Sequence, residues 1–406
     1  MLYLLIPVFI LGLPFLYLFK KKRLKSPGGV ILSLYISSFL SAGLIEHFSA
    51  WYTIEASAFL GFTLVLFFWP VIIHATKFNK IIIIGNYQLL LPFSRILVML
   101  GFISIVNLIL KIENIFNNIL SPTAYRSQKI AGNISFDYGL LEYISLIGLN
   151  LYYIQFAMFL IISIIYPDRK KLQNLLLLSS LAYPLTGLAI DMSRGALLMW
   201  MLMACLIYIS LYSYIELNLR KRINKIILIF IAFILGLFLL VTFGRGEASG
   251  DLSMYFIDYF SHQFGNFNRF YAVAANQPND IRLIFQILGF DRQSIPEQAE
   301  DLMAAYGFSI NVFATFIGDF IISFDAGIIV LMGIAFALFF GFLAQSCSKG
   351  LGTFILVLSI SEVFVWGLFY YNHGWRISNL LFLLIIALRY VFNPNTSKGL
   401  ILRIQP

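Results

Sequence analysis

Runs of about twenty apolar residues recur along this chain, each parted from the next by a short polar or basic stretch, and that is the length a helix needs to cross the hydrocarbon of a bilayer. They fall near residues 2–19, 28–46, 56–74, 92–111, 140–166, 172–190, 196–215, 226–244, 325–346, 351–371 and 377–392. Hydrophobic residues make up 60% and charged residues 12%, against about 25% charged in an ordinary soluble domain. No soluble core of this length encloses so much apolar surface. The expected fold class is therefore an all-α integral membrane protein with about 11 transmembrane helices, and a range of about 10–12. The run Ile81–Leu91, followed by Pro92 and Arg95, reads as an interfacial lead-in to the fourth helix.

Basic residues set the expected orientation, because cytoplasmic loops carry the excess of Lys and Arg. With the amino terminus outside, the inner connections hold Lys20 to Lys25, Lys77 and Lys80, Arg169 to Lys171, Arg220 to Lys225, Lys349, Lys398 and Arg403, which is most of the 28 basic residues. This bias accounts for the net charge of +9. Spread over thin loops rather than gathered in a patch, the charge does not call for a nucleic-acid partner. The first run has no basic residue before it and Lys20 to Arg23 after it, the reverse of a cleaved secretion signal, and reads as a retained helix. The two cysteines, Cys205 and Cys347, lie in or beside apolar runs and read as buried small hydrophobes. The expected organisation is residues 1–244 with transmembrane helices 1 to 8, a large outer loop over 245–324, and residues 325–406 with helices 9 to 11 and a cytoplasmic tail.

The outer segments use arginine where the inner ones use mostly lysine. An outer arginine works against the insertion bias, and its planar fork pairs bidentately with phosphate or carboxylate. Arg194 stands in Ser193-Arg194-Gly195, Arg245 in Gly244-Arg245-Gly246-Glu247, and Arg376 ends Tyr370-Tyr371-Asn372-His373-Gly374-Trp375-Arg376. Glycine beside an arginine lets a ligand approach the backbone. In the large loop, Leu252 to Tyr271 has helical period. Tyr255, Tyr259, His262, Asn266 and Arg269 share one face and Phe256, Phe260, Phe264, Phe267 and Tyr271 another. This reads as an amphipathic helix resting on the membrane domain with its polar face toward a cavity, suited to stacking and hydroxyl recognition of sugars. Asn311 to Phe342 reads as a short re-entrant or interfacial helix carrying Asp319, a turn at Asp325-Ala326-Gly327, and a full span. Glu362 is a carboxylate deep within a run, either buried and hydrogen-bonded or functional. The sequence carries no phosphate loop, dinucleotide fingerprint, metal-ligand spacing or Ser-His-Asp pattern.

Ser193-Arg194-Gly195 opening a helix, Arg245-Gly246-Glu247 opening a large outer loop and the closing run Thr315 to Leu343, in a many-spanning chain of 406 residues, resemble the bacterial O-antigen polymerase family (Wzy, oligosaccharide repeat-unit polymerases). The resemblance implies a GT-C-like, metal-independent glycosyltransferase of the inner membrane, with no cofactor and an active site facing the periplasm. It implies an undecaprenyl-pyrophosphate-linked glycan as donor, a lipid-linked repeat unit as acceptor, surrounding membrane lipid, and a chain-length regulator as a protein partner. On that chemistry Arg194, Arg245, Arg269 and Arg376 would stabilise the pyrophosphate leaving group. His262, Glu247 and His373 compete as the base for the acceptor hydroxyl. Tyr255, Tyr259 and Asn266 would contact sugar. Two other readings stay open: an O-antigen ligase of similar architecture, and a flippase or other transporter of lipid-linked oligosaccharide. Against the transporter stand the lack of two similar halves and the long outer loop.

Overall fold

Long apolar runs satisfy their own backbone groups only as helices when water is absent, and helices dominate this chain. The computed structural model describes residues 2–42, 53–77, 81–111, 139–191, 194–244, 263–272, 315–346, 349–369, 376–393 and 400–403. The helices are α1 (Leu2–Lys20), α2 (Pro27–Ala42), α3 (Ile54–Lys77), α4 (Leu90–Leu110), α5 (Leu140–Asn150), α6 (Tyr152–Ile165), α7 (Lys170–Ser180), α8 (Ala182–Asp191), α9 (Arg194–Leu211), α10 (Leu217–Gly244), α11 (263–272), α12 (Thr315–Ser323), α13 (Ala326–Gln345), α14 (Leu351–Gly367) and α15 (Arg376–Phe392). Two strands, β1 (Ile81–Ile84) and β2 (Leu400–Arg403), and two short 3-10 turns, Tyr87–Leu89 and Tyr212–Tyr214, complete the described elements. Among the described residues four helices are long and apolar enough to cross a membrane, and the bent pair α5–α6 makes a fifth if it is one span. Shorter apolar helices accompany them. Large side chains such as Phe62, Met99, Leu331, Leu338 and Phe342 are exposed along these helices, an apolar surface that suits lipid rather than water.

The chain folds as two units. One takes Met1–Asn79 and Asp251–Arg389. Its centre is aromatic. Phe67 of α3 meets Phe316 and Phe320 of α12 at 5.3 and 6.1 Å and Phe336 of α13 at 5.5 Å between ring centroids. Phe68 lies 4.8 Å from both Tyr35 of α2 and Phe364 of α14. The Tyr35 hydroxyl donates to the Phe364 carbonyl at 2.8 Å, so its polar tip is satisfied inside the unit. At the other end of α14, Gly352 lets the helix lie on the backbone of Arg389 in α15, where an added Cβ would come within 2.5 Å of a carbonyl oxygen. The buried Arg389 guanidinium donates to the Ser346 carbonyl at 3.1 Å and to the Ser346 hydroxyl. It thus satisfies the C-terminus of α13, the end at which a cation is favoured. Glu362 is buried within α14. The expected turn at Asp325 is a helix cap, with its carboxylate accepting from Gly327 N at 2.7 Å to start α13.

The second unit takes Lys80–Gly250 and Tyr390–Pro406. Here the sequence reading needs three corrections. The segment Ile81–Leu91 is no simple lead-in. Its four isoleucines form β1, which pairs antiparallel with β2 in the register Ile81 to Arg403 and Ile84 to Leu400. Gly85 N donates to Phe392 O and the Asn86 amide to Val391 O, extending the tie. β-branched residues favour the extended chain when a partner strand is supplied, and the partner comes from the tail. The run 140–166 is also not one straight helix. It bends by 54° between α5 and α6. The break frees the Gly148 carbonyl, and Gln155 repairs it by donating 3.2 Å bonds to the carbonyls of Gly148 and Leu97. Around it the packing is backbone-close. A Cβ on Gly148 would sit 2.4 Å from Leu100 O, and Ser104 donates to Ser145 O at 2.8 Å. Small residues that let helices approach are the usual means of packing helices in lipid. Lys111 pairs with Glu142, joining the ends of α4 and α5. Cys205 is exposed on α9, not the buried small hydrophobe expected of it.

Candidate functional site

The loop helix is the place to build from. α3 begins at a Thr53 cap, whose hydroxyl accepts from Ala56 N at 3.1 Å. The same Thr53 donates its backbone N–H to the Asn268 side chain of α11 at 3.4 Å, and the Asn268 amide donates to Phe264 O at 2.9 Å. Phe264 packs on Phe39 of α2 at 5.3 Å. Phe267 stacks on Phe59 of α3 at 6.5 Å, and Tyr271 meets Phe59 at 5.5 Å. Phe264, Phe267, Tyr271 and Asn268 therefore occupy one side of α11, against α2 and α3. At 100° per residue Asn266 and Arg269 fall on the opposite side. The phenylalanine face anticipated from the sequence is the packing face over the described residues. Asn266, at 3% exposure, is enclosed, and Arg269 is half-buried. A helix buried on both sides is an internal element, not one lying flat in an interface with a solvated polar face.

Arg194 is the first residue of α9 and Arg376 the first residue of α15. A free helix N-terminus carries partial positive charge and receives an anion well; residues 192–193 and 370–375, which precede these two arginines, lie outside the described residues. Arg194 belongs to the second unit and Arg376 to the first, where Asn266 and Arg269 also lie. Tyr255, Tyr259, His262, Glu247, Arg245 and His373 lie outside the described residues, as does Cys347.

Sequence reasoning passed over Glu55. It sits exposed in the first turn of α3, one turn before Phe59 on the same face. Burial, with the Glu55 carboxylate adding to it, holds the Tyr271 phenol above its ordinary value. Tyr271 is then a neutral hydrogen-bond donor at physiological pH. The only signal for Glu55 in the sequence is a carboxylate heading an apolar run. Thr315, which opens α12, adopts φ 65° and is fully buried, with its hydroxyl accepting from Gly318 N at 3.4 Å. A β-branched residue in that region is strained by roughly 1–3 kcal/mol. Asp319 is half-buried on the same helix. Among the described residues no group of three or more His, Cys, Asp or Glu side chains is gathered to hold a metal.

Comparison with known proteins yields no match to a protein-family model, a curated protein or a solved structure.

Proposed function

We propose that this chain is a multi-pass membrane glycosyltransferase that polymerises lipid-linked oligosaccharide repeat units. In this reading a growing glycan on undecaprenyl pyrophosphate is transferred to the acceptor hydroxyl of a second lipid-linked unit at the outer face of the inner membrane. The observation that carries it is a set of long apolar helices able to cross a membrane, in a chain whose outer segments use arginine, the residue whose planar fork pairs bidentately with phosphate. Arg194 and Arg376 would each serve as such a contact. A leaving pyrophosphate develops charge that such fixed donors stabilise without proton transfer. Arg269 and Asn266 on α11 suit the same lipid-linked substrate, as phosphate partner and sugar partner. Arg245 would be a further phosphate contact, with His262, Glu247 and His373 as alternative bases.

The tail ladder supports the topology. Because β1 pairs with β2, both lie on one side of any membrane the chain crosses, so the spans between them are even in number. The reading with β1 after the third span and β2 after the eleventh meets that requirement. One observation favours a different function: the 54° break between α5 and α6 is a feature found in transporters of membrane-embedded substrates.

Surface polysaccharide from cells lacking the gene separates these readings. A deletion that leaves a single repeat unit on the lipid core, restored to a ladder by wild type but not by Arg194→Ala or Arg376→Ala at equal membrane abundance, is the expected result. Bare core in the deletion points to a ligase or a flippase, and an unchanged ladder removes the proposal.

A further inference from the structure

Beside the aromatic floor where α11 rests on α3 lies an exposed carboxylate, Glu55. Glu55 and Phe59 are one turn apart on α3, and Phe59 is 5.5 Å from Tyr271 and 6.5 Å from Phe267, the latter nearly parallel at 8°. Tyr271 and Phe267 are themselves 6.1 Å apart. The face thus presents a carboxylate and two half-buried rings, Phe59 and the phenol of Tyr271. We propose that Glu55, Tyr271 and Phe59 form a subsite for a neutral sugar ring. It rests on the polymerase reading for the identity of that sugar as part of the lipid-linked repeat unit.

The chemistry selects the ligand class. A carboxylate accepts from two vicinal hydroxyls, the pattern a pyranose offers and an alkyl chain does not. The Tyr271 phenol, protonated at neutral pH, donates to a ring or hydroxyl oxygen. An aromatic ring covers the apolar C–H face of a sugar, much as it covers other apolar surface. A phosphate or lipid headgroup phosphate is turned away by the Glu55 charge, and a single carboxylate makes a poor cation site. Thr53 and Asn268 fix the placement of these groups, since their 3.4 Å bond ties the first turn of α3 to the middle of α11.

The test uses the purified full-length protein in detergent and, as probe, the repeat-unit oligosaccharide released from its lipid by mild acid. Saturation-transfer NMR reports which sugar protons contact the protein. The expected result is transfer to the wild type and a Kd at least about tenfold weaker for Glu55→Gln and for Tyr271→Phe. Both variants should unfold at the wild-type temperature, and Glu55→Asp should retain part of the affinity. Lack of transfer to the wild type, or undiminished affinity in both variants, overturns the subsite. A wild type that binds the sugar through these residues yet builds no polymer leaves the subsite standing and sinks the polymerase reading.

Discussion

Two helix clusters, one in each unit, are held together by different means, while Gly28 and Gly352 bring backbones equally close at other helix contacts of the first unit. In the unit of Met1–Asn79 and Asp251–Arg389, the contacts between α3, α12, α13 and α14 are ring on ring, from Phe67, Phe68, Phe316, Phe320, Phe336 and Phe364. In the unit of Lys80–Gly250 and Tyr390–Pro406, α4 meets α5, α6 and α7 through glycine, serine and Gln155, with carbonyl oxygens as the main acceptors. Lipid is as apolar as leucine, so neither unit gains from hiding carbon from water. The first gains dispersion from large flat surfaces; the second gains it from close backbones and a few hydrogen bonds. Rings tolerate an exchange for another bulky apolar group, whereas a glycine at close contact tolerates nothing larger.

That contrast can be broken by substitution, beginning with the largest effect. Phe316→Ala removes a ring that meets Phe67, Phe320 and Phe364. It should cost up to the roughly 3–5 kcal/mol of a soluble core, less the share that lipid compensates, and Phe316→Leu should recover most of it. Equilibrium unfolding in detergent reads both. Gly148→Ala places a methyl 2.4 Å from Leu100 O and should cost about 1–3 kcal/mol, with no apolar replacement of similar size doing better. If Gly148→Ala proves harmless, the close-backbone account of the second unit fails. Gln155→Leu keeps the bulk and removes both bonds to the carbonyls of Gly148 and Leu97. At roughly 0.6–1.7 kcal/mol per bond in a membrane interior, a loss of about 1–3 kcal/mol is expected, together with faster amide exchange at the α5–α6 break. Tyr35→Phe leaves every ring contact and deletes one bond to Phe364 O. It should cost about 0.6 kcal/mol, and a larger loss would mean that the aromatic cluster also depends on polar ties.

Helices were the legible part of the sequence, because a run of apolar residues long enough to span lipid has few other fates. The runs near 56–74, 92–111, 196–215, 325–346 and 377–392 coincide with α3, α4, α9, α13 and α15 to within a few residues. Ile81–Ile84 was opaque because a strand declares itself only through its partner, and β2 lies at the far end of the chain. The α5–α6 bend was hidden for the opposite reason: α6 is as apolar as a straight span, and only Asn150 and Gln155 mark the place. In the candidate site, the face pattern of α11 could be read from its period over the described residues 263–272. Glu55 could not be found that way, since its significance comes from Tyr271, which folding alone brings beside it.

Reconstitution measures the central claim most directly. The purified protein in liposomes, given a synthetic undecaprenyl-pyrophosphate-linked repeat unit, should yield a ladder of lipid-linked oligomers with release of undecaprenyl pyrophosphate, and Arg194→Ala should abolish both. Substrate that crosses the bilayer without any new glycosidic bond, or that stays a single unit until a lipid core acceptor is added, would contradict the account.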